Sequence, residues 1–73
     1  MTKIDSKIFS ILRLAQVAEK TGLSKSTIYL RIQKGTFPKQ VKLGERSVGW
    51  LQNEVDDWLK SRIEMRDMEN EVR

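Results

Sequence analysis

The chain carries the sequence TGLSKSTIY at residues 21–29, a pattern typical of a sharp turn followed by a helix. Gly22 accepts the positive φ with which a preceding helix can end. Ser24 is suited to cap the next helix, because its hydroxyl can accept the backbone N–H of Ser26 or Thr27. The stretch therefore predicts two helices joined by a turn of only a few residues.

The flanking residues supply those two helices. A first helix is predicted over about residues 14–20, because apolar residues recur there at i, i+3 and i+4. A short apolar stretch at residues 10–14 is predicted to be extended and to lead into it. A second helix is predicted over about residues 25–34, ending at Gly35. Its buried edge is predicted to consist of Leu23, Ile28 and Ile32. Two helices joined by three or four residues, with glycine at the turn, describe a helix-turn-helix.

Beyond the second helix the sequence changes to a β pattern. Pro38 disfavours a continuing helix, and residues 40–43 alternate polar and apolar as a half-buried strand does. Gly44 and Glu45 supply a turn, and residues 47–50 return as a second strand. The basic residues of this small hairpin are Lys39, Lys42 and Arg46.

A last helix is predicted to begin near Gln52 or Asn53 and to run to about Arg66. Its apolar stripe is predicted to consist of Val55, Trp58, Leu59 and Ile63. The acids near its start, Glu54, Asp56 and Asp57, suit the positive end of the helix dipole better than a metal cluster. Trp50, Trp58 and Phe37 are interpreted as core residues and not as a ligand cage.

The predicted fold class is mainly α with a small β-hairpin, a winged helix-turn-helix. Residues 1–9 are expected to form a flexible arm, residues 10–66 the domain, and residues 67–73 a frayed tail. A chain of 73 residues has room for one small domain and for no cofactor domain or deep substrate cleft.

The composition excludes several function classes. The chain has no Cys and no His, which removes thiolate metal sites, cysteine nucleophiles, the usual zinc ligands and the commonest general base. We therefore expect no catalytic residue, no metal, no cofactor and no small-molecule substrate, and hence no enzyme. No apolar run approaches the ~20 residues that span a bilayer, and residues 1–7 lack the apolar stretch of a signal peptide. These features predict a cytoplasmic protein without a membrane partner.

The charge is distributed unevenly along the chain. Residues 1–50 carry ten basic and three acidic side chains, whereas residues 51–73 carry four basic and seven acidic ones. A basic excess of this kind is the electrostatic footprint of phosphate binding. A solvated basic face would give the same counts, and a plain helical hairpin would give the same helix pattern. The combination of helix, hairpin and charge favours binding to double-stranded DNA, with the second helix in the major groove and the hairpin on the backbone.

This interpretation assigns two sets of candidate contacts. The predicted groove contacts are Lys25, Ser26, Thr27, Tyr29, Leu30 and Gln33. The predicted phosphate contacts are Arg31, Lys34, Lys39, Lys42 and Arg46.

Three motifs resemble the AlpA family of prophage regulatory proteins. They are the stretch at residues 21–29, GTFPK at residues 35–39, and LGERSVGW at residues 43–50 followed by EVDDWL at residues 54–59. The resemblance covers about residues 10–63 and implies a fold related to excisionase and MerR-type DNA-binding domains. It also implies a transcriptional regulator or an excisionase (a recombination directionality factor) of a prophage or genomic island, acting at a promoter or attachment site. An integrase or further copies of the chain are the partners that it implies.

The chain departs from that family's pattern directly after Tyr29. Leu30 lies about 200° around the helix from Ile28 and is expected on the exposed side, whereas Arg31 lies about 60° away, at the core margin. An alternative function also remains. The acidic last helix, with Met65, Met68 and Val72 as a thin stripe, could make the chain an adaptor that binds an integrase or a polymerase subunit.

Overall fold

Three helices and three short strands alternate along the chain. In order they are β1 (Ile11–Leu12), α1 (Leu14–Thr21), α2 (Lys25–Gln33), β2 (Val41–Lys42), β3 (Val48–Leu51) and α3 (Gln52–Val72). The computed structural model describes residues 10–72, with the side chains of residues 10–69. The predicted arm at residues 1–9 lies outside the described residues. The predicted winged helix-turn-helix is confirmed as the fold class.

The turn between α1 and α2 forms through the two residues that predicted it. Gly22 has φ +76°, and its N–H donates to the carbonyl of Ala18 at 2.8 Å. Ser24 caps α2, since its Oγ accepts the N–H of Thr27 at 3.2 Å. At the other end of α2, Gly35 has φ +78° and its N–H donates to the carbonyl of Ile32 at 3.0 Å. The helix-turn-helix is thus held by local backbone hydrogen bonds.

The sheet has the antiparallel order β1-β3-β2, with β3 in the middle. Leu12 pairs with Trp50, and Lys42 pairs with Val48. The N–H of Gln52 extends the β1–β3 pairing by donating to the carbonyl of Ser10 at 2.8 Å. An extended segment before α1 was predicted, but its pairing with β3 was not. We call β2, β3 and the loop between them the wing.

The wing strand β2 corrects one prediction. Val41 is 37% exposed and Leu43 is 45% exposed, so this strand is not half-buried as its alternating pattern predicts. The strand is two residues long and lies at the sheet edge. Its outer position leaves both faces of the strand in contact with water, because burial requires a covering element as well as an apolar side chain.

The hydrophobic core takes one fully buried residue from each of α1, α2, β3 and α3 and one from the loop after α2. The buried residues are Val17, Ile28, Phe37, Trp50 and Val55. The core positions predicted for Phe37 and Trp50 are confirmed, and the indole N–H of Trp50 donates to the carbonyl of Pro38 at 3.1 Å. Trp58 is half-buried and packs against this cluster. Of the buried edge predicted for the second helix, only Ile28 is fully buried, whereas Leu23, in the turn before α2, and Ile32 are half-buried at the core margin.

Two predictions about α3 are wrong. Ile63 is 50% exposed and is not part of the core stripe. The helix also ends at Val72 and not near Arg66 as predicted. The frayed tail at residues 67–73 stays a prediction. The exposure of Ile63 has a simple cause: this part of α3 extends beyond the rest of the molecule, and every side chain over residues 60–69 is exposed.

Candidate nucleic-acid interface

The outward face of α2 brings together four of the six predicted groove contacts. Ile28 is fully buried, which turns the opposite side of the helix outward. The exposed residues on that side are Ser26, Tyr29, Leu30 and Gln33, and with Ile32 they line a shallow, open depression. Leu30 is 49% exposed. Its predicted position on the exposed side of the helix is therefore confirmed.

The other two predicted groove contacts lie in the first turn of α2. Lys25 is exposed at the helix start. Thr27 is half-buried, and its Oγ1 accepts a hydrogen bond from the Oγ of Ser24 at 2.8 Å. This hydroxyl belongs to the capping network of the helix, although its own hydrogen can still be donated to another acceptor.

Tyr29 joins α2 to the wing. Its ring meets the ring of Trp50, on β3, in an edge-to-face arrangement with centroids 6.2 Å apart. Tyr29 is 40% exposed, so one part of the ring packs on the central strand and the rest stays accessible. This contact fixes the outward face of α2 relative to the strands of the wing.

The cations that follow α2 and those of the hairpin region have no carboxylate partner among the described residues. Lys34, Lys39, Lys42 and Arg46 are all exposed. The ion pairs found among the described residues are Lys20–Asp56 and Arg66–Asp67, each at 2.8 Å, and neither involves those four cations. Free, solvated cations of this kind are what phosphate contacts require.

Arg31 occupies a different environment from the other predicted phosphate contacts. It is half-buried, as its predicted place at the core margin implies, and its guanidinium carbon lies 5.9 Å from the centre of the Trp58 ring. Arg62 of α3 lies over the same ring at 5.8 Å. Arg62 was not predicted as a site residue. The i, i+4 spacing of Trp58 and Arg62 is the signal that could have indicated their contact.

The acids at the start of α3 also have a tertiary role. Asp56 binds Lys20 of α1 at 2.8 Å, so this acid does more than stabilise the helix start. Across the described part of the chain, no group of acidic side chains could hold a metal ion. The described helices also include none that is long and apolar enough to cross a membrane.

Comparison with known protein families gives a match over the helix-turn-helix and the wing. A family model described as "Prophage CP4-57 regulatory protein (AlpA)" matches residues 10–63. The chain belongs to the AlpA family. The match extends from β1 to the middle of α3 and includes the whole helix-turn-helix and the wing.

Two relatives of this AlpA-family chain have contrasting descriptions. The "DNA-binding transcriptional activator AlpA" of Escherichia coli K12 is 43% identical, over 75% of this chain and 87% of the relative. The "Uncharacterized protein ORF88" of Enterobacteria phage P4 is 52% identical, over 71% of this chain. The match spans 59% of the length of that phage protein.

Proposed function

We propose that this AlpA-family chain is a sequence-specific regulator that binds double-stranded DNA. The observation that carries the proposal is the outward face of α2, with Ser26, Tyr29, Leu30 and Gln33 exposed and with exposed cations nearby in the chain. A helix is ~10–12 Å wide with its side chains, which fits a major groove ~12 Å wide. The described activity of the Escherichia coli relative supports the same function.

In the proposed mechanism, α2 enters the major groove and the wing lies on the flanking backbone. Lys25, Ser26, Thr27, Tyr29, Leu30 and Gln33 would meet base edges. Arg31, Lys34, Lys39, Lys42 and Arg46 would meet phosphates, which position the protein without reading sequence. One module of this type buries on the order of 600–1,000 Å² of surface on DNA. That area is small, so we infer that several copies bind neighbouring sites.

We further propose that the DNA is a promoter or an attachment site of a prophage or genomic island. The family to which the chain belongs supports this context. At a promoter the chain would regulate transcription, whereas at an attachment site it would act as an excisionase together with an integrase. Footprinting on DNA that flanks the protein's own gene separates the two, because the position of the protected site distinguishes promoter from attachment site.

A mobility-shift assay at two salt concentrations tests DNA binding itself. Affinity should fall steeply as salt rises, because each phosphate contact releases a counterion.

Gln33→Ala should reduce the preference for the footprinted site over unrelated DNA. Asn53→Ala, which removes an exposed amide at the start of α3, is the matched control and should leave that preference unchanged. Binding that is weak and independent of salt would contradict the proposal.

An adaptor that binds an integrase or polymerase subunit is the second candidate. The observation that favours it is the exposure of Met65 (51%) and Met68 (65%) on α3. Met side chains adapt to varied apolar partners. If the adaptor function is correct, a Met65→Ser, Met68→Ser variant should lose the partner and keep its affinity for DNA. If the chain is not an adaptor, the same variant should match the wild type both in the mobility-shift assay and in a binding assay with the integrase or polymerase subunit.

A further inference from the structure

Trp58 is held rigidly at the junction of three segments. Its indole N–H donates to the carbonyl of Thr36 at 2.7 Å, in the loop after α2. The ring of Phe37 meets it edge to face, with centroids 4.8 Å apart. Phe37 is only 5% exposed, so this neighbour belongs to the core and fixes the ring against it.

Two guanidinium groups, those of Arg31 and Arg62, make cation–π contacts with the Trp58 ring. The guanidinium carbons of Arg31 and Arg62 lie 5.9 and 5.8 Å from the ring centre. They are therefore no more than about 12 Å apart, since each lies within 6 Å of the same point. A cation–π contact uses the charge of the guanidinium and occupies none of its N–H groups with a hydrogen-bond acceptor, so these donors can still bind another acceptor.

The described residues supply no carboxylate partner for these two cations. Among the described residues, neither Arg31 nor Arg62 has a carboxylate oxygen within 4.0 Å. The hydrogen bond of Arg62 runs from Nη1 to the sulfur of Met65, a weak acceptor, at 3.9 Å. One turn further along α3, Arg66 is paired with a carboxylate, since it donates two hydrogen bonds to Oδ1 of Asp67 at 3.0 and 2.8 Å.

The Trp58 ring and its two arginines lie beside one flank of α2, the flank away from the wing. Tyr29 contacts Trp50 on the central strand of the wing, whereas Arg31 contacts Trp58 on α3. Side chains two positions apart on a helix, such as Tyr29 and Arg31, point in directions that differ by about 200°. These two contacts therefore lie on nearly opposite flanks of α2. The outward face of α2 thus has the wing on one flank and the paired arginines on the other.

We propose that Arg31 and Arg62, held over Trp58, bind phosphates of the DNA strand on the flank of α2 opposite the wing. This inference rests on the proposed DNA binding and adds α3 to the interface. A helix in the major groove has a phosphate backbone on each side, and the wing can cover only one of them. Guanidinium groups bind phosphate oxygens through paired N–H donors. Because one strand carries a phosphate every ~3.4 Å of helix axis, groups within about 12 Å can reach nearby phosphates.

The proposed contact from α3 depends on the guanidinium of Arg62 and not on the net charge of the helix. Residues 51–73 carry four basic and seven acidic side chains, so the segment as a whole is repelled by DNA. Arg66→Ala removes the same charge as Arg62→Ala, one turn away, from a guanidinium that Asp67 already binds. This pair of variants separates a phosphate contact from a change in net charge.

The test measures the affinity of the full chain for a 30-base-pair duplex of arbitrary sequence over a series of KCl concentrations. Arg31→Ala and Arg62→Ala should each lower the salt slope by ~0.9 and the low-salt affinity by roughly three- to tenfold. Arg66→Ala should leave the slope unchanged. Arg62→Lys, which keeps the charge but not the paired N–H donors of a guanidinium, should fall between Arg62→Ala and the wild type. Thermal melts check that the variants fold, as expected for the exposed Arg62.

The outcomes distinguish this inference from the proposed function. Salt-independent binding by the wild type would overturn both. If the wild type binds and Arg46→Ala lowers the slope, but Arg31→Ala and Arg62→Ala match Arg66→Ala, only the arginine pair is overturned. If Arg31→Ala lowers the salt slope and Arg62→Ala does not, the phosphate contact proposed for Arg62 of α3 is overturned.

Discussion

The indole N–H of Trp58 donates to the carbonyl of Thr36 at 2.7 Å and so joins α3 to the loop that follows α2. The bond connects positions 22 residues apart in the chain. It places the start of the long helix against the end of the helix that we propose enters DNA. The orientation of α2 therefore depends on a residue outside the helix-turn-helix.

Trp58→Ala should destabilise the fold by roughly 3 kcal/mol, near the lower end of the ~3–5 kcal/mol typical of a buried aromatic, because Trp58 is only half-buried. Trp58→Phe keeps most of the packing and loses the N–H donor, so about 1 kcal/mol is expected. Urea denaturation followed by circular dichroism measures both. A Trp58→Ala variant as stable as the wild type would make Trp58 an interface residue and not a core residue.

Lys42→Ala and Arg46→Ala should each weaken binding about equally on all DNA sequences and lower the salt slope by ~1. The reason is that both side chains are exposed cations in the wing region without a carboxylate partner among the described residues. Lys60→Ala is the control, since Lys60 is an exposed cation on α3. Loss of binding at the specific site alone, with the slope unchanged, would exclude a phosphate contact.

Leu30→Ala should reduce the preference for a thymine in the selected binding site. Leu30 is 49% exposed on the outward face of α2 and has no polar group, so its natural contact in a major groove is the thymine methyl. Leu30→Arg should likewise lower that preference while strengthening binding to unrelated DNA. Ile63→Ala removes a side chain of similar exposure (50%) from α3 and is the control. In a binding-site selection, identical sequences from wild type and Leu30→Ala would leave Leu30 without this role.

Gly49→Ala should destabilise the sheet by roughly 1–3 kcal/mol, the usual cost of overpacking. An added Cβ would overlap Cγ2 of Ile11 and lie 3.1 Å from the carbonyl oxygen of Leu12. Gly44→Ala in the wing loop is the control, because there the nearest atom would be 3.9 Å away and Gly44 has no positive φ. Thermal unfolding of the two variants measures the difference. Equal melting temperatures would mean that β1 can move away from β3 at little cost.

Much of the fold could be predicted because its signals act within a few residues of one another. Gly22 and Ser24 set the turn through backbone geometry and a hydrogen bond to Thr27. The apolar positions of α1 and α2 repeat with the helix period, which identifies Val17 and Ile28 as core. The exposed position of Leu30 follows from the same period. These features require no knowledge of the other elements.

The features that were missed involve segments distant in the sequence. The pairing of Leu12 with Trp50 brings together positions far apart in the chain, and two apolar residues in β1 do not specify a partner strand. The contact of Arg31 with the Trp58 ring, next to Arg62, likewise needs α2 and α3 to be in place. The ion pair of Lys20 with Asp56 depends on how α1 meets α3.

The sequence by itself determined the helix-turn-helix, the wing and the basic character of the region around α2. Only the tertiary structure decided which apolar residues are covered and which cations are engaged. Val41 and Ile63 fit the apolar patterns of their elements, yet one lies at a sheet edge and the other beyond the body of the molecule, so both remain exposed. The physical reason is that periodicity sets the direction of a side chain, whereas burial and ion pairing depend on the element that packs against it.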